Sequence, residues 1–226
     1  MALQQMDEAR SFASQAYATG QLSRNAYLQS HNAYRMATVS AHFQEYAAAR
    51  RYHQESLELS QQLDYRGGMA NAYSALGDIS FAQRQYAEAE QQFDEARAIN
   101  EAFGNWLDST HCQVRAGSAA LRQGGHDRAD VYLRQALSRA AEIGAGGVLA
   151  DGLLAWARLR IAQQQAAQAI PILRFVASNK DSSPSAQQQA QMLLQEQVGV
   201  KRGSAADAPV LNELLQEILG FVPRRG

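Results

Sequence analysis

Four alanines, Ala49, Ala89, Ala129 and Ala169, recur at one constant spacing of forty positions, and around each the chain repeats the same two-part apolar pattern. A fixed period of this length predicts a solenoid, in which each unit is too small to bury its own apolar face and must stack on its neighbours. With 226 residues, 46% of them hydrophobic, the chain carries enough apolar side chain for a continuous core.

In blocks of twenty from Asn25, two kinds of helix alternate. The first helices fall at 25–44, 65–84, 105–124 and 145–164, and the second helices lie between them. Each pair predicts one antiparallel hairpin, giving repeats over about 25–64, 65–104, 105–144 and 145–184. In the best-formed repeat, Tyr73, Leu76, Gly77, Ile79 and Ala82 share one helix face. After Gln83-Arg84-Gln85 breaks the pattern, Tyr86, Ala89, Phe93, Ala96 and Ile99 begin a second stripe. Gly77 and Ala89 let two backbones approach, and Leu76 and Phe93 fill the remaining space. The same sizes return as Ala116-Gly117, Ala129 and Leu133, and as Trp156-Ala157, Ala169 and Leu173. The first repeat departs, because His53 occupies the bulky core position. Gly67-Gly68, Gly104 and Gly144 to Gly147 are placed where helices should stop.

Residues 1–24 read as a half-unit, a lone second helix with Ala9, Ala13 and Ala16 on its stripe and Gly20 closing it, and this predicts excision from a longer chain. An extra helix is expected at 185–198, behind the breaker Asp181-Ser182-Ser183-Pro184 with its N-cap residues. A linker at 199–209 follows. Then comes an amphipathic helix at 210–220, carrying Val210, Leu211, Leu214, Leu215, Ile218 and Leu219, which is expected to cap the last open face. The expectation is an all-α solenoid of about ten to eleven helices.

Leu76-Gly77 followed by Ala89, Phe93 and Ala96 resembles the tetratricopeptide repeat signature. The period of forty resembles the long-hairpin version found in the C-terminal sensor regions of bacterial maltose-regulator-type transcription activators and multi-domain signal-transduction ATPases. Gly152-Leu153-Leu154-Ala155-Trp156-Ala157 with Ser182-Ser183-Pro184 is similar to their closing repeats. The resemblance spans residues 1–198 and implies a right-handed superhelix serving as a sensor or docking region, with first helices lining a concave groove. A nucleotide-binding module upstream would supply the activity, since this chain has no GxxxxGK[ST] loop.

Carrying the register through places His31, Tyr34, Arg35, Thr38 and His42 toward that groove from the first repeat, and Asn71, Ser74, Asp78 and Phe81 from the second. The third contributes His111, Val114, Arg115, Ser118 and Arg122, and the fourth Asp151, Leu154, Arg158 and Ile161. This mixture of rings, both charges and apolar patches suits a protein or peptide partner, other domains of the parent chain among them. A small-molecule ligand between helices near Trp156 and Tyr34 is the alternative. Tyr46, Tyr86 and Tyr132 are read as packing residues.

Lys+Arg 21 against Asp+Glu 22, a formal charge of -1, gives no general attraction to nucleic acid or anionic lipid. Met1 to Glu8 lack the basic start and apolar run of a signal peptide, and the single Cys112 fits the expectation of a cytoplasmic location. No cofactor or metal is expected. His31 and His42 stand about 16 Å apart along a helix axis, and the adjacent His111 and Cys112 point about 100° apart. Asp151 with Arg158, and Asp78 with Arg115, read as groove ion pairs, so the expected protein is not an enzyme.

Overall fold

A computed structural model describes residues 2–198 and 210–220, and these form helices with no strand. The expected linker at 199–209 lies outside the described residues. In order the helices are α1 Ala2–Leu22, α2 Ala26–His42, α3 Tyr46–Gln62, α4 Arg66–Ala82, α5 Tyr86–Ala102 and α6 Trp106–Arg122. They continue as α7 His126–Glu142, α8 Gly146–Ala162, α9 Ala166–Ser178, α10 Pro184–Val198 and α11 Leu211–Leu219. The fold is an all-α solenoid of antiparallel helix pairs.

From α2 to α8 every helix is 17 residues long, so a helix and its turn repeat at a constant interval. One backbone device sets that length. The middle residue of each turn is left-handed: Gln44, Asp64, Arg84, Gly104, Gly124, Gly144 and Gln164 all have φ between 47° and 79°. The following N–H then reaches back to the carbonyl five positions earlier, from Glu45 to Ser40 (2.9 Å), from Gln85 to Ser80 (2.8 Å) and from Gln165 to Arg160 (2.8 Å). This closure satisfies carbonyls that a helix end otherwise leaves bare. Side-chain N-caps contribute little. Asn25 caps α2 by accepting from Leu28 N (3.1 Å) and Ser183 accepts from Ala186 N (3.1 Å), whereas Glu45, Tyr65, Gln85, Gly125, Ala145 and Gln165 make no such bond.

By contacts the chain divides into two compact units, Met1–Asn105 and Trp106–Gly226. In the first, α1 packs on α2, α2 on α3, α3 on α4 and α4 on α5. Ala49 and Ala89 are fully enclosed, and a Cβ at Gly77 would stand 2.6 Å from the Phe93 ring, so the small-against-large pairing is literal. Arg50 of α3 fans across to the end of α4, donating to Glu88 (2.6 Å), Gln85 (2.8 Å), Ser80 and Gln83 (3.1 Å each). In the second unit, α6 to α10 stack consecutively around Leu133, Leu137, Leu153, Leu159 and Leu173. Helix α11 buries Leu214, Leu215 and Ile218 in that core and lies against α7 and α9, which are second helices.

Two glycine readings change. Helix α1 runs past Gly20 to Leu22, and the glycine admits α2: a Cβ there would meet Asn32 Nδ2 at 2.6 Å, and that amide donates to Ala16 O (2.9 Å). Gly67 and Gly68 lie inside the first turn of α4, where a Cβ on Gly68 would strike Ser60 Oγ at 2.4 Å. Both Gly20 and Gly68 serve close approach, and Asp64 does the stopping before α4.

A non-glycine residue in the left-handed region carries strain, and Arg84 does so with its side chain exposed. Arg84→Gly is expected to raise stability by about 0.5 to 1 kcal/mol, and Gly104→Ala to lower it by about 1 kcal/mol, in urea unfolding. Opposite signs are the readout: a loss on Arg84→Gly would mean that the turn does not set the helix length.

Candidate functional site

The first unit presents the exposed side of α2 and α4. His31, Arg35, Thr38, His42, Asn71 and Asp78 are exposed there, and Tyr34, Ser74 and Phe81 are half-buried. His31 stacks on Tyr27 (6.5 Å between centroids, 4° between planes), and Phe81 turns to meet Tyr86 edge-on at 5.3 Å. Thr38 Oγ1 donates to Tyr34 O (2.9 Å), which leaves its oxygen as an acceptor toward solvent.

Between these helices and α3 lies a cavity of about 300 Å³ lined by Tyr34, Thr38, Ala41, Tyr46, His53, Ala75, Asp78, Ile79 and Ala82. It gathers three of the expected groove residues, Tyr34, Thr38 and Asp78, and leaves out His31, Arg35, His42, Asn71, Ser74 and Phe81. Its floor includes two residues of the second helix that the groove register does not reach, Tyr46 and His53. His53 is only 2% exposed, its Nδ1 makes no hydrogen bond, and the Tyr34 ring meets it edge-on at 5.0 Å. Burial alone drives its pKa from the ordinary 6.5 down to about 4, so the ring is neutral at physiological pH. The signal for it is present in the sequence, as a polar ring at a position otherwise held by Phe93, Leu133 and Leu173.

In the second unit the outer side of α6 and α8 carries a half-buried charged cluster. His111 is held below its ordinary pKa first by burial and then by the Arg115 charge, while Asp151 and Asp108 pull it back up. Asp151 is raised by burial, against the opposing charges of His111 and Arg115. The expected partner of Asp151 was Arg158; instead Arg158 donates to Gln189 of α10, and its pKa is lowered by burial and by Arg122. Ser118 Oγ donates to Val114 O (2.9 Å) of its own helix. Val114 and Leu154 require correction as groove residues: they are 5% and 4% exposed and belong to the core, because they fill the seam where α6 and α8 touch. Trp156 is buried too, beneath the Arg160 guanidinium at 4.0 Å.

Among the described residues no group of three His, Cys, Asp or Glu side chains is placed to hold a metal, and no helix is long and apolar enough to cross a membrane.

A family profile described as tetratricopeptide repeat matches residues 29–102 and again 68–142, together just over half of the chain. Among solved structures, the chain is similar to one titled crystal structure of BtubC (BKLC) from P. vanneervenii, with a TM-score of 0.66 and 15% identity over 92% of this chain and 80% of that one. At that identity the likeness concerns the fold. No curated protein matches the sequence.

The neutral His53 gives a prediction with a definite sign. In the unfolded chain the ring takes a proton as pH falls through 6.5, whereas in the folded chain it resists until about 4, so the unfolded state gains protons first. Its contribution is fully present above 6.5 and is lost on acidification, on the order of 3 kcal/mol by pH 4. His53→Leu, which copies the Ala157 and Leu173 pairing, is expected to lose that much less stability than the parent between pH 7 and pH 4 in urea unfolding. Parallel losses in the two proteins would contradict a buried neutral ring.

Proposed function

The chain belongs to the tetratricopeptide repeat family, and from that membership we propose that it binds a protein or peptide on the exposed sides of its first helices, as a scaffold without catalysis of its own. Repeats of this family are protein-interaction scaffolds. The observation that carries the proposal is the distribution of polarity along one register. Second-helix positions such as Ala49, Ala89, Ala129 and Ala169 are wholly enclosed, while first-helix positions bring His31, Arg35, Asp78, Arg122 and Arg158 to the surface and leave Arg115 half-buried, mixed with rings. Charged groups of both signs beside aromatic side chains are what a partner needs for register and anchoring.

The long-hairpin period supports the finer reading, that the chain is a sensor or docking region of a larger bacterial signalling or transcription-regulating ATPase acting in the cytoplasm. A native reading frame continuing upstream into a nucleotide-binding module would support it, and one encoding an unrelated module would remove it. A small-molecule receptor is the second reading, and the cavity beneath Tyr34 is the observation that favours it.

Arg115→Ala combined with Arg158→Ala is expected to weaken a purified partner by about tenfold or more while stability changes by less than about 1 kcal/mol. Titration calorimetry with the partner and melting curves of the variant check both halves. Unchanged affinity would remove the second unit's face from the interface. A panel of metabolites that raises the melting temperature where no peptide does would favour the receptor reading.

A further inference from the structure

The cavity between α2, α3 and α4 holds a polar ring that the fold leaves unserved. His53 forms part of its lining, is 2% exposed, and makes no hydrogen bond at Nδ1. Burial keeps the ring neutral, so it presents a donor at one nitrogen and an acceptor at the other. Phe93, Leu133 and Leu173 fill the same register position in the later repeats and are each enclosed, so the packing there asks for no polar group. Most of the lining is apolar or an aromatic face: Ala41, Ala75, Ile79 and Ala82 with the rings of Tyr34 and Tyr46. Tyr34 and Asp78 already have interaction partners within the protein, and Thr38 gives its hydroxyl hydrogen to Tyr34 O. The imidazole is the group left to be met.

That lining fixes the chemistry of a guest. A charged molecule would give up hydration against mostly apolar walls, and a neutral imidazole offers it no counter-charge. A hydroxyl both donates and accepts, so it matches an imidazole nitrogen in either tautomer. Flat rings suit the tyrosine faces and the small alanines opposite them. An apolar cavity of about 150 Å³ takes benzene, so about 300 Å³ takes one or two fused rings.

We propose that this cavity binds an uncharged aromatic molecule of one or two rings carrying a hydroxyl, the rings against Ala41, Ala75 and Ile79 and the hydroxyl hydrogen-bonded to the His53 imidazole. The assignment rests on the small-molecule reading above and names the class of ligand that the first unit selects. It gives His53 a use that packing does not, since the same position is filled by an apolar side chain in the other repeats.

The test titrates the full chain by calorimetry with indole-3-ethanol, 3-propylindole, indole-3-acetate and tryptamine, which share one ring system and differ at the end of the side chain. Indole-3-ethanol is expected to bind most tightly, with 3-propylindole weaker by about tenfold and the two ions weaker still. His53→Leu keeps the bulk of the ring and removes its nitrogens, so it is expected to cost indole-3-ethanol about tenfold and to change 3-propylindole by less than about twofold. Ala75→Leu, which fills the cavity from a half-buried position on α4, abolishes binding of both and serves where His53→Leu repacks the cavity. Equal affinity for indole-3-ethanol and 3-propylindole, a tighter ion, or binding unmoved by both variants would overturn the assignment and leave the small-molecule reading standing. If none of the four binds, a fragment library screened on the same chain decides. Hydroxylated single rings whose binding both variants weaken would uphold the assignment, and hits of any other class would overturn it. A library without a hit would overturn the small-molecule reading as well.

Discussion

The backbone closure at the end of each helix from α2 to α8 is the constraint from which the rest of the molecule follows. A left-handed residue in each turn that follows α2 to α8 brings the next N–H back onto a carbonyl five positions earlier, and the helix cannot run on. Because the helices from α2 to α8 are then all of one length, the alanines of successive second helices meet their partner helices at equivalent heights. A slip of a single position would rotate a side chain by about 100° and put Phe93 or Leu133 into solvent, so helix length and core composition enforce one another. The cost is local strain at Gln44, Asp64, Arg84 and Gln164, which the chain accepts because each closure fixes two helices at once.

The polar seams show the register working with different residues. In the first unit a guanidinium from the second helix, Arg50, binds Ser80, Gln83 and Gln85 at the end of the following first helix. Two repeats further on, the equivalent positions are Asp130, Arg160, Gln163 and Gln165, and the guanidinium now comes from the first helix: Arg160 donates to Asp130, to Gln163 (2.7 Å) and to Gln165 (3.2 Å). One cation sits among equivalent acceptors in both places. What the geometry keeps is a charge tying a helix end to its neighbour, and either helix can supply it.

Periodicity made the core legible and hid the turns. Ala89, Phe93 and Ala96 announce their packing by size, since only small and large residues alternate that way along a buried stripe. Left-handed positions are announced in sequence by glycine, so Gly104, Gly124 and Gly144 were readable, whereas Gln44, Asp64, Arg84 and Gln164 look like ordinary solvated residues. Glycines themselves misled in the other direction: Gly20 and Gly68 are required by a neighbouring side chain and not by a backbone angle. Exposure of first-helix residues was legible only in part, because it depends on how near the next first helix comes. Arg158 flanks that seam and is exposed and Arg115 is half-exposed, while Val114 and Leu154 fall into it.

The cavity follows from the same comparison. Moving two repeats along the register turns Tyr34 into Val114, Thr38 into Ser118, His53 into Leu133 and Asp78 into Arg158. In the second unit Val114 and Leu133 close the space between α6, α7 and α8, and both are buried in the core. In the first unit Tyr34 is too long to fold into the equivalent gap and His53 is too polar to seal it, so an opening of about 300 Å³ remains above a histidine that no neighbour satisfies at Nδ1. An apolar leucine at His53 would recover packing on the pattern of Leu133 and Leu173, and burying a polar ring without a partner runs against stability. The repeat therefore gives up core quality at one position, on the side where its first helices are open and where the neighbouring charge changes from Arg158 to Asp78.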